Sequence, residues 1–181
     1  MKKNLLHILS LFVFTTALLG NGIKSDTEKI ISSYFTGAEF IMAKIEIPLQ
    51  IKSEIEREVR QKFFDGSVYV WKIFENDSLS AVAILDNVYG KALPITFLTA
   101  FSLEGEILFS EIIKYREQYG GGVKSKSWLE QFNGGNGKST YEVGKNIQGI
   151  SGATISVNSV TKGIRKSALL FEKMKNELLA L

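Results

Sequence analysis

Cysteine is absent from all 181 residues, and histidine occurs once, as His7. The first absence excludes a structural disulfide, a cysteine-ligated iron–sulfur cluster, c-type haem attached through Cys-x-x-Cys-His, a lipoprotein anchor and thiol catalysis. His7 falls in an apolar leader, so the rest of the chain has no imidazole for a Ser-His-Asp triad, a zinc site or a general base near neutral pH. Charge of one sign is also scarce. The formal net charge is +3, and subtracting Lys2 and Lys3 with the leader leaves 3 − 2 = +1. That is too little to hold nucleic acid or an anionic lipid surface, and no nucleic-acid partner is expected. No internal repeat is visible. Any chemistry must come from a bound cofactor, or there is none.

Long apolar runs are limited to one. Met1-Lys2-Lys3-Asn4, an apolar stretch from Leu5 to Leu19 and then Gly20-Asn21-Gly22 follow the order of a secretory signal peptide. As a helix, Leu5 to Leu19 would rise about 22 Å, against a hydrocarbon core of about 30 Å. The expectation is therefore a signal peptide over residues 1–22, cleaved after Gly22 or after Ala17, with an uncleaved anchor helix as the alternative. The protein is expected to be exported, to a periplasm or to the outer face of the cytoplasmic membrane. The remaining length and an apolar fraction of 45% suit one globular domain.

Residues 23–78 read as an N-terminal helical part followed by a first strand. Ile30, Ile31, Tyr34, Phe35, Ala38, Ile41 and Met42 recur at helical spacing, predicting a helix from Ser25 to about Lys44. Pro48 opens a second helix, Leu49 to Phe64, with Ile51, Ile55, Val59 and Phe63 at intervals of four. Strand-like runs follow at Val68 to Phe74, Leu79 to Val88, Ile95 to Ser102 and Glu106 to Tyr115. The connections are too short for crossover helices, so antiparallel pairing is expected. From Gln118 to Gly149 the chain turns glycine-rich, interrupted by Ser127 to Phe132, which suits one or two helical turns. Gly137-Lys138-Ser139 looks like the end of a P-loop, but Phe132 stands where its first glycine would be required. A long amphipathic helix is predicted from Ser156 to about Leu179, with Lys162, Arg165 and Lys166 on a solvated face. The fold class is α+β: an antiparallel sheet of about four to six strands covered by N- and C-terminal helices.

The most informative stretch is Gly149-Ile150-Ser151-Gly152-Ala153-Thr154-Ile155-Ser156, just ahead of that helix. Small residues let a bulky ligand approach the backbone. Thr154 offers a hydroxyl where the helix dipole and unpaired N–H groups favour a phosphate. Upstream lie Leu103-Glu104-Gly105-Glu106-Ile107, then Glu117-Gln118-Tyr119-Gly120-Gly121-Gly122, then Trp128-Leu129-Glu130-Gln131-Phe132.

In order and spacing these segments resemble the FMN-binding domain family. Its members include the C subunit of the sodium-pumping NADH:quinone reductase and the G subunit of the Rnf electron-transport complex. The resemblance covers about residues 80 to 175 and implies an FMN-binding domain, taken as residues 79–181. In that family a flavin transferase joins FMN by a phosphodiester to the threonine of Asp-x-x-Ser/Thr-Gly-Ala-Thr. The resemblance therefore implies a flavoprotein electron carrier with FMN on Thr154 and no substrate chemistry of its own. Ser151, Gly152, Ala153, Ile155 and Ser156 would cradle the phosphate and ribityl chain, and Glu117, Tyr119, Gly120 and Gly122 would cover the ring. The implied partners are the transferase and membrane electron-transport components. Two positions depart from the family pattern: Gln148 stands where the leading acid is expected, and Tyr119 replaces a proline. A non-covalent FMN module, and a structural or binding domain that has lost the flavin, are the alternatives.

Overall fold

A computed structural model describes residues 21–180. The leader reading therefore lies outside the described residues, apart from Asn21 and Gly22, which begin the first helix. The element order is α1 (Asn21–Tyr34), β1 (Glu39–Glu46), α2 (Leu49–Val59), β2 (Ser67–Glu75), β3 (Ser78–Tyr89), β4 (Pro94–Ser102), β5 (Ile107–Lys114), a short helical patch α3 (Lys126–Leu129), α4 (Thr154–Lys173) and α5 (Lys175–Leu179). Single 3-10 turns at Gly121–Lys124 and Glu130–Phe132 flank α3. The strands form one five-stranded antiparallel meander in the order β1-β2-β3-β4-β5. Helices from both ends of the chain cover it, an α+β fold.

The side-chain alternation of the strands assigns the two faces. Val68, Val70, Val82, Ile84, Val88, Ile95, Phe97 and Phe101 point to the face covered by α2, α4 and α5. Trp71, Ile73, Ala81, Ala83, Leu85, Leu98, Ala100 and Phe109 point to the other, where Ile31 of α1 is buried. With helices on both sides, the central strands β3 and β4 are buried almost throughout, which is why they read as continuous apolar runs and not as alternating ones. Tyr34 fastens α1 to β5. Its ring stacks on Phe109 at 3.7 Å and its hydroxyl donates to Glu111 Oε1 at 2.7 Å. Burial and the hydrogen bond to that carboxylate push the phenol's pKa up.

Three boundaries differ from the periodicity reading, each for a local reason. The first helix stops at Tyr34 instead of running to Lys44. Gly37 takes φ +79°, a left-handed conformation that ends a helix cheaply only at glycine. Beyond it Glu39–Glu46 is an edge strand with Phe40 and Met42 packed toward α1. The second helix stops at Val59, with Arg60 in the left-handed region and its N–H on Glu56 O. The chain then doubles back so that Phe63 is buried and its N–H reaches Glu56 Oε1 at 2.9 Å. The last helix breaks at Met174, which leaves the helical conformation (φ −120°, ψ 25°), and resumes as α5 to bury Leu178.

Two contacts set α4 on the sheet. At Gly163 the helix lies so close to β3 and β4 that an added Cβ would come within 2.7 Å of Val88 Cγ1 and 2.8 Å of Phe97 Cζ. Three residues on, Lys166 is fully buried, which corrects its placement on a solvated face. Its ammonium lies 2.9 Å from Asp86 Oδ2 on β3. It also donates to Lys62 O at 2.9 Å and sits over the Phe63 ring at 4.5 Å. Asp86 Oδ2 meets the lysine as a charge partner and not as an aligned hydrogen-bond acceptor. Arg165 and Lys162 keep the expected outer positions, Arg165 pairing with Glu58 of α2 at 2.9 Å.

Both contacts yield measurable outcomes. Gly163→Ala is expected to lower unfolding stability by about 1–3 kcal/mol through overpacking. Lys166→Met leaves Asp86 buried without a counter-charge and is expected to cost about 3–5 kcal/mol. Urea unfolding of each variant beside wild type reads both, and a loss under ~1 kcal/mol for Lys166→Met would show that the pair is not holding the helix.

Candidate functional site

The turn before α4 is built from residues 150–153. Ala153 is buried and its N–H bonds Ile150 O at 3.1 Å, while Ile150 packs against the core. Between them Gly152 takes φ +75°, which a side chain at that position would oppose. Thr154 is the first residue of α4 and is exposed. No side chain caps the helix, so the first-turn N–H groups and the positive end of the dipole face outward, where an anion is favoured.

The glycine-rich loop after β5 comes directly against this turn. Tyr115 links the two: its hydroxyl donates to Tyr119 O and lies 2.9 Å from Ser156 Oγ. A Cβ on Gly120 would stand 2.8 Å from Ser156 Oγ and 2.9 Å from Tyr115 Oη, and one on Gly122 would stand 3.0 Å from Ile150 Cγ2. Lys91, Tyr119, Gly120 and Gly152 through Ser156 line a cavity of about 320 Å³. Tyr119 is 76% exposed at its rim. The two segments singled out in the sequence are thus brought together, with Thr154 at the cavity wall.

Two of the expected site residues have their side chains committed elsewhere. Ser156 is buried, its hydroxyl turned to Tyr115, so only its backbone N–H is left for a phosphate. Glu117 reaches back to the β3–β4 turn, accepting from Ala92 N at 2.6 Å and Leu93 N at 2.9 Å. Beside it Arg116 donates to Pro94 O and Thr96 Oγ1. This Arg-Glu pair holds the turn that presents Lys91 to the cavity. Gln148 keeps an exposed side chain but a fixed backbone. The Trp128 indole N–H donates to Gln148 O at 2.7 Å, and Gln148 N donates to Gln131 Oε1 at 2.7 Å. Trp128 is wedged edge-to-face on the buried ring of Phe132. The tryptophan patch therefore positions the segment that leads into Thr154. Sequence reasoning missed Lys91 and Tyr115. Both come from strand ends far from Thr154 in the chain, and no local spacing marks them.

A hydroxyl at an uncapped helix start, glycines beside it and a lysine in the same cavity lining together suit a phosphate group. Residues 90–168 match the FMN-binding domain family. The cofactor this match indicates is FMN. The domain so defined takes in β4, β5, the glycine-rich loop and most of α4. The chain is also similar to the G subunit of the Na(+)-translocating ferredoxin:NAD(+) oxidoreductase complex of Acetobacterium woodii, 33% identical over 94 residues. That alignment covers 47% of this chain and 45% of the relative, so less than half of that protein's length is matched. Among solved structures, Shewanella oneidensis NqrC superposes with a TM-score of 0.54 at 16% identity, covering 84% of this chain and 89% of that one. The likeness to NqrC is one of fold. It extends the shared architecture beyond the FMN-binding domain to the N-terminal elements.

Electrostatics of the turn give a pH test. The N–H groups of Leu93 and Ala92 hold the Glu117 carboxyl below the usual carboxylate range. A depressed folded pKa stabilises the turn at pH values above the unfolded value, about 4.3. That contribution is lost as pH falls through the lower folded value. Hydrogen-exchange protection of the Ala92 and Leu93 amides should stay constant from neutral pH down through the ordinary carboxylate range and collapse only below it. In Glu117→Gln the protection should be weak at every pH.

Proposed function

We propose that this protein is an exported flavoprotein electron carrier that holds FMN through a phosphodiester on Thr154. The observation that carries the reading is the placement of Thr154: an exposed hydroxyl on the first residue of a 20-residue, uncapped helix, facing a cavity that Lys91 also lines. Backbone N–H groups of the first turn, with the helix dipole and Lys91, would offset the phosphate charge. FMN supplies one- and two-electron chemistry when bound. Making the ester forms a P–O bond at Thr154 Oγ and releases its proton. A flavin nucleotide anhydride as donor would lose its other nucleotide half, and a flavin transferase would catalyse the exchange. Ser151, Gly152, Ala153 and Ile155 shape the approach to Thr154, and Tyr119 and Gly120 close the far side.

Partners follow from the relatives. Similarity to a subunit of a ferredoxin:NAD(+) oxidoreductase complex supports a carrier between membrane electron-transport components, on the outer face of the cytoplasmic membrane. Among the described residues no helix is long and apolar enough to cross a membrane, so attachment there would rest on the leader or on partners. A covalent tether suits that setting, since FMN lost outside the cell is not readily replaced. A non-covalent site is the second reading, favoured by one position: Gln148 stands where the family's motif carries an acid.

Denaturing gel electrophoresis after co-expression with a flavin transferase separates these readings. In-gel flavin fluorescence is expected in wild type and absent in Thr154→Ala. Gln148→Asp should raise the fraction loaded. Fluorescence that persists in Thr154→Ala would overturn the assignment to Thr154. Yellow colour lost on precipitation would favour the non-covalent site, and a colourless protein would favour a domain that has lost its flavin. Intact mass of the exported protein reads leader removal and FMN attachment as separate shifts.

A further inference from the structure

A second, larger cavity of about 490 Å³ lies beside the Thr154 site, between the chain after α2, the end of β3 and the second and third turns of α4. Its features lack an explanation in the fold. Phe64 and Tyr89 are 42% and 64% exposed, with ring centroids 4.6 Å apart at 31°. The two rings tilt against each other at the cavity rim and leave much of their apolar surface exposed. Arg60 and Lys162 also line it, and neither forms an ion pair with any described residue. Lys62 is there as well, but its charge is taken by Glu56 at 2.8 Å.

Gln61, also in the lining, is tied to α4. Its amide nitrogen donates to Ser159 O at 3.1 Å. A carbonyl accepts only from a donor, so this bond fixes which end of the amide faces the helix. Gln61 Oε1 is left buried with no donor, which costs stability unless something supplies one. The cavity thus offers exposed aromatic surface and uncompensated positive charge, while Gln61 Oε1 is sealed away from it.

The two cavities are neighbours along one helix. Thr154, Asn158 and Lys162 succeed one another at i, i+4 and i+8 on α4 and so share a face. Thr154 lines the first cavity, and Asn158 and Lys162 line the second. On the sheet side Tyr89 and Lys91, either side of Gly90, line the second and the first respectively. Two helical turns separate the ends, about 11 Å, a span comparable with an extended ribityl phosphate.

We propose that the larger cavity seats the isoalloxazine ring of the FMN held at Thr154, against the Tyr89–Phe64 aromatic pair, with its pyrimidine edge toward Lys162 and Arg60. This rests on the FMN reading. It sends the ring away from the Glu117–Gly122 loop, which is left to close over the phosphate end. An isoalloxazine matches the cavity's chemistry: it is planar and aromatic, and reduction adds negative charge at its pyrimidine edge. Lys162 and Arg60 stand where they would favour that added charge, so they raise the flavin's potential and act as positioning and tuning residues, not as proton donors.

The test uses the full protein loaded by co-expression with a flavin transferase, comparing wild type with Tyr89→Ala, Lys162→Gln and Tyr119→Ala, all at exposed positions. Flavin content per chain is measured first, by absorbance, then fluorescence yield and midpoint potential. Flavin fluorescence is quenched by a stacked tyrosine, so Tyr89→Ala is expected to raise the yield several-fold at unchanged flavin content. Tyr119→Ala should leave the yield near wild type. Lys162→Gln should shift the midpoint potential to a lower value. A rise in yield with Tyr119→Ala and none with Tyr89→Ala would overturn the ring placement while leaving FMN on Thr154 intact. Unchanged yield in both variants, with flavin bound, would also overturn it. Wild type that carries no flavin would instead overturn the FMN reading, and the ring placement with it.

Discussion

The close packing of α4 across β3 and β4 is the contact on which the rest of the molecule depends. Gly163 lets the helix axis approach until Val88 and Phe97 touch its backbone, and Val157, Val160, Ile164, Ala168 and Phe171 fill the layer on either side. Because a helix is rigid over this length, its seat on the sheet also decides where its N-terminus ends. Thr154 is exposed at the cavity wall for that reason. The Lys166–Asp86 pair adds a directional element to an otherwise greasy interface. An apolar contact can slide; a buried charge with one counter-charge and one carbonyl cannot without losing both.

A second level of organisation hangs on the turn between β3 and β4. Glu117 accepts from two of its N–H groups, and Arg116 binds the carbonyl and hydroxyl on its β4 side. The same short segment after β5 therefore holds the turn with its first residues and lines the Thr154 cavity with its next ones. Tyr115 closes the circuit through Ser156 on α4. Opposite, Trp128 and Gln131 hold the backbone at Gln148, so the approach to the helix is tied from both sides. The helix start that suits a phosphate is thus fixed by side chains that do not themselves face it, the usual way a binding geometry is made rigid ahead of its ligand.

Much of this organisation is legible in the order of the residues. The last four strands are marked by β-branched and aromatic runs with short polar connections, and their antiparallel order follows from connections too short for anything else. The Ser-Gly-Ala-Thr segment and the upstream glycine loop are legible as parts of one site through the family pattern they resemble, and the fold brings both to one cavity. The first strand is not. Ile41 and Met42 continue the spacing of Ile30, Ile31 and Tyr34, and only the left-handed turn at Gly37, with β2 available as a pairing edge, turns helix into strand. The solvated-face reading of Lys166 fails for a related reason: its helical position is polar by composition, but Asp86 lies beneath it on the sheet.

Composition and local pattern by themselves determined what kind of chemistry this chain can host. Without cysteine, and with its one histidine at position 7, the chain has no thiol and no later imidazole, and the small residues before a strong helix form the segment proposed to take an anionic cofactor. Those are properties of residue type and near-neighbour spacing, and they hold however the elements pack. The tertiary structure alone decided which side chains surround that point and the cavity beside it. Lys91, Tyr115, Gln61, Phe64 and Tyr89 come from strand ends and loops separated from Thr154 by long stretches of chain, and they meet because the sheet aligns its turns at the end where α4 begins. Their contact depends on strand register and on how closely one helix approaches the sheet, quantities that no local stretch of sequence encodes.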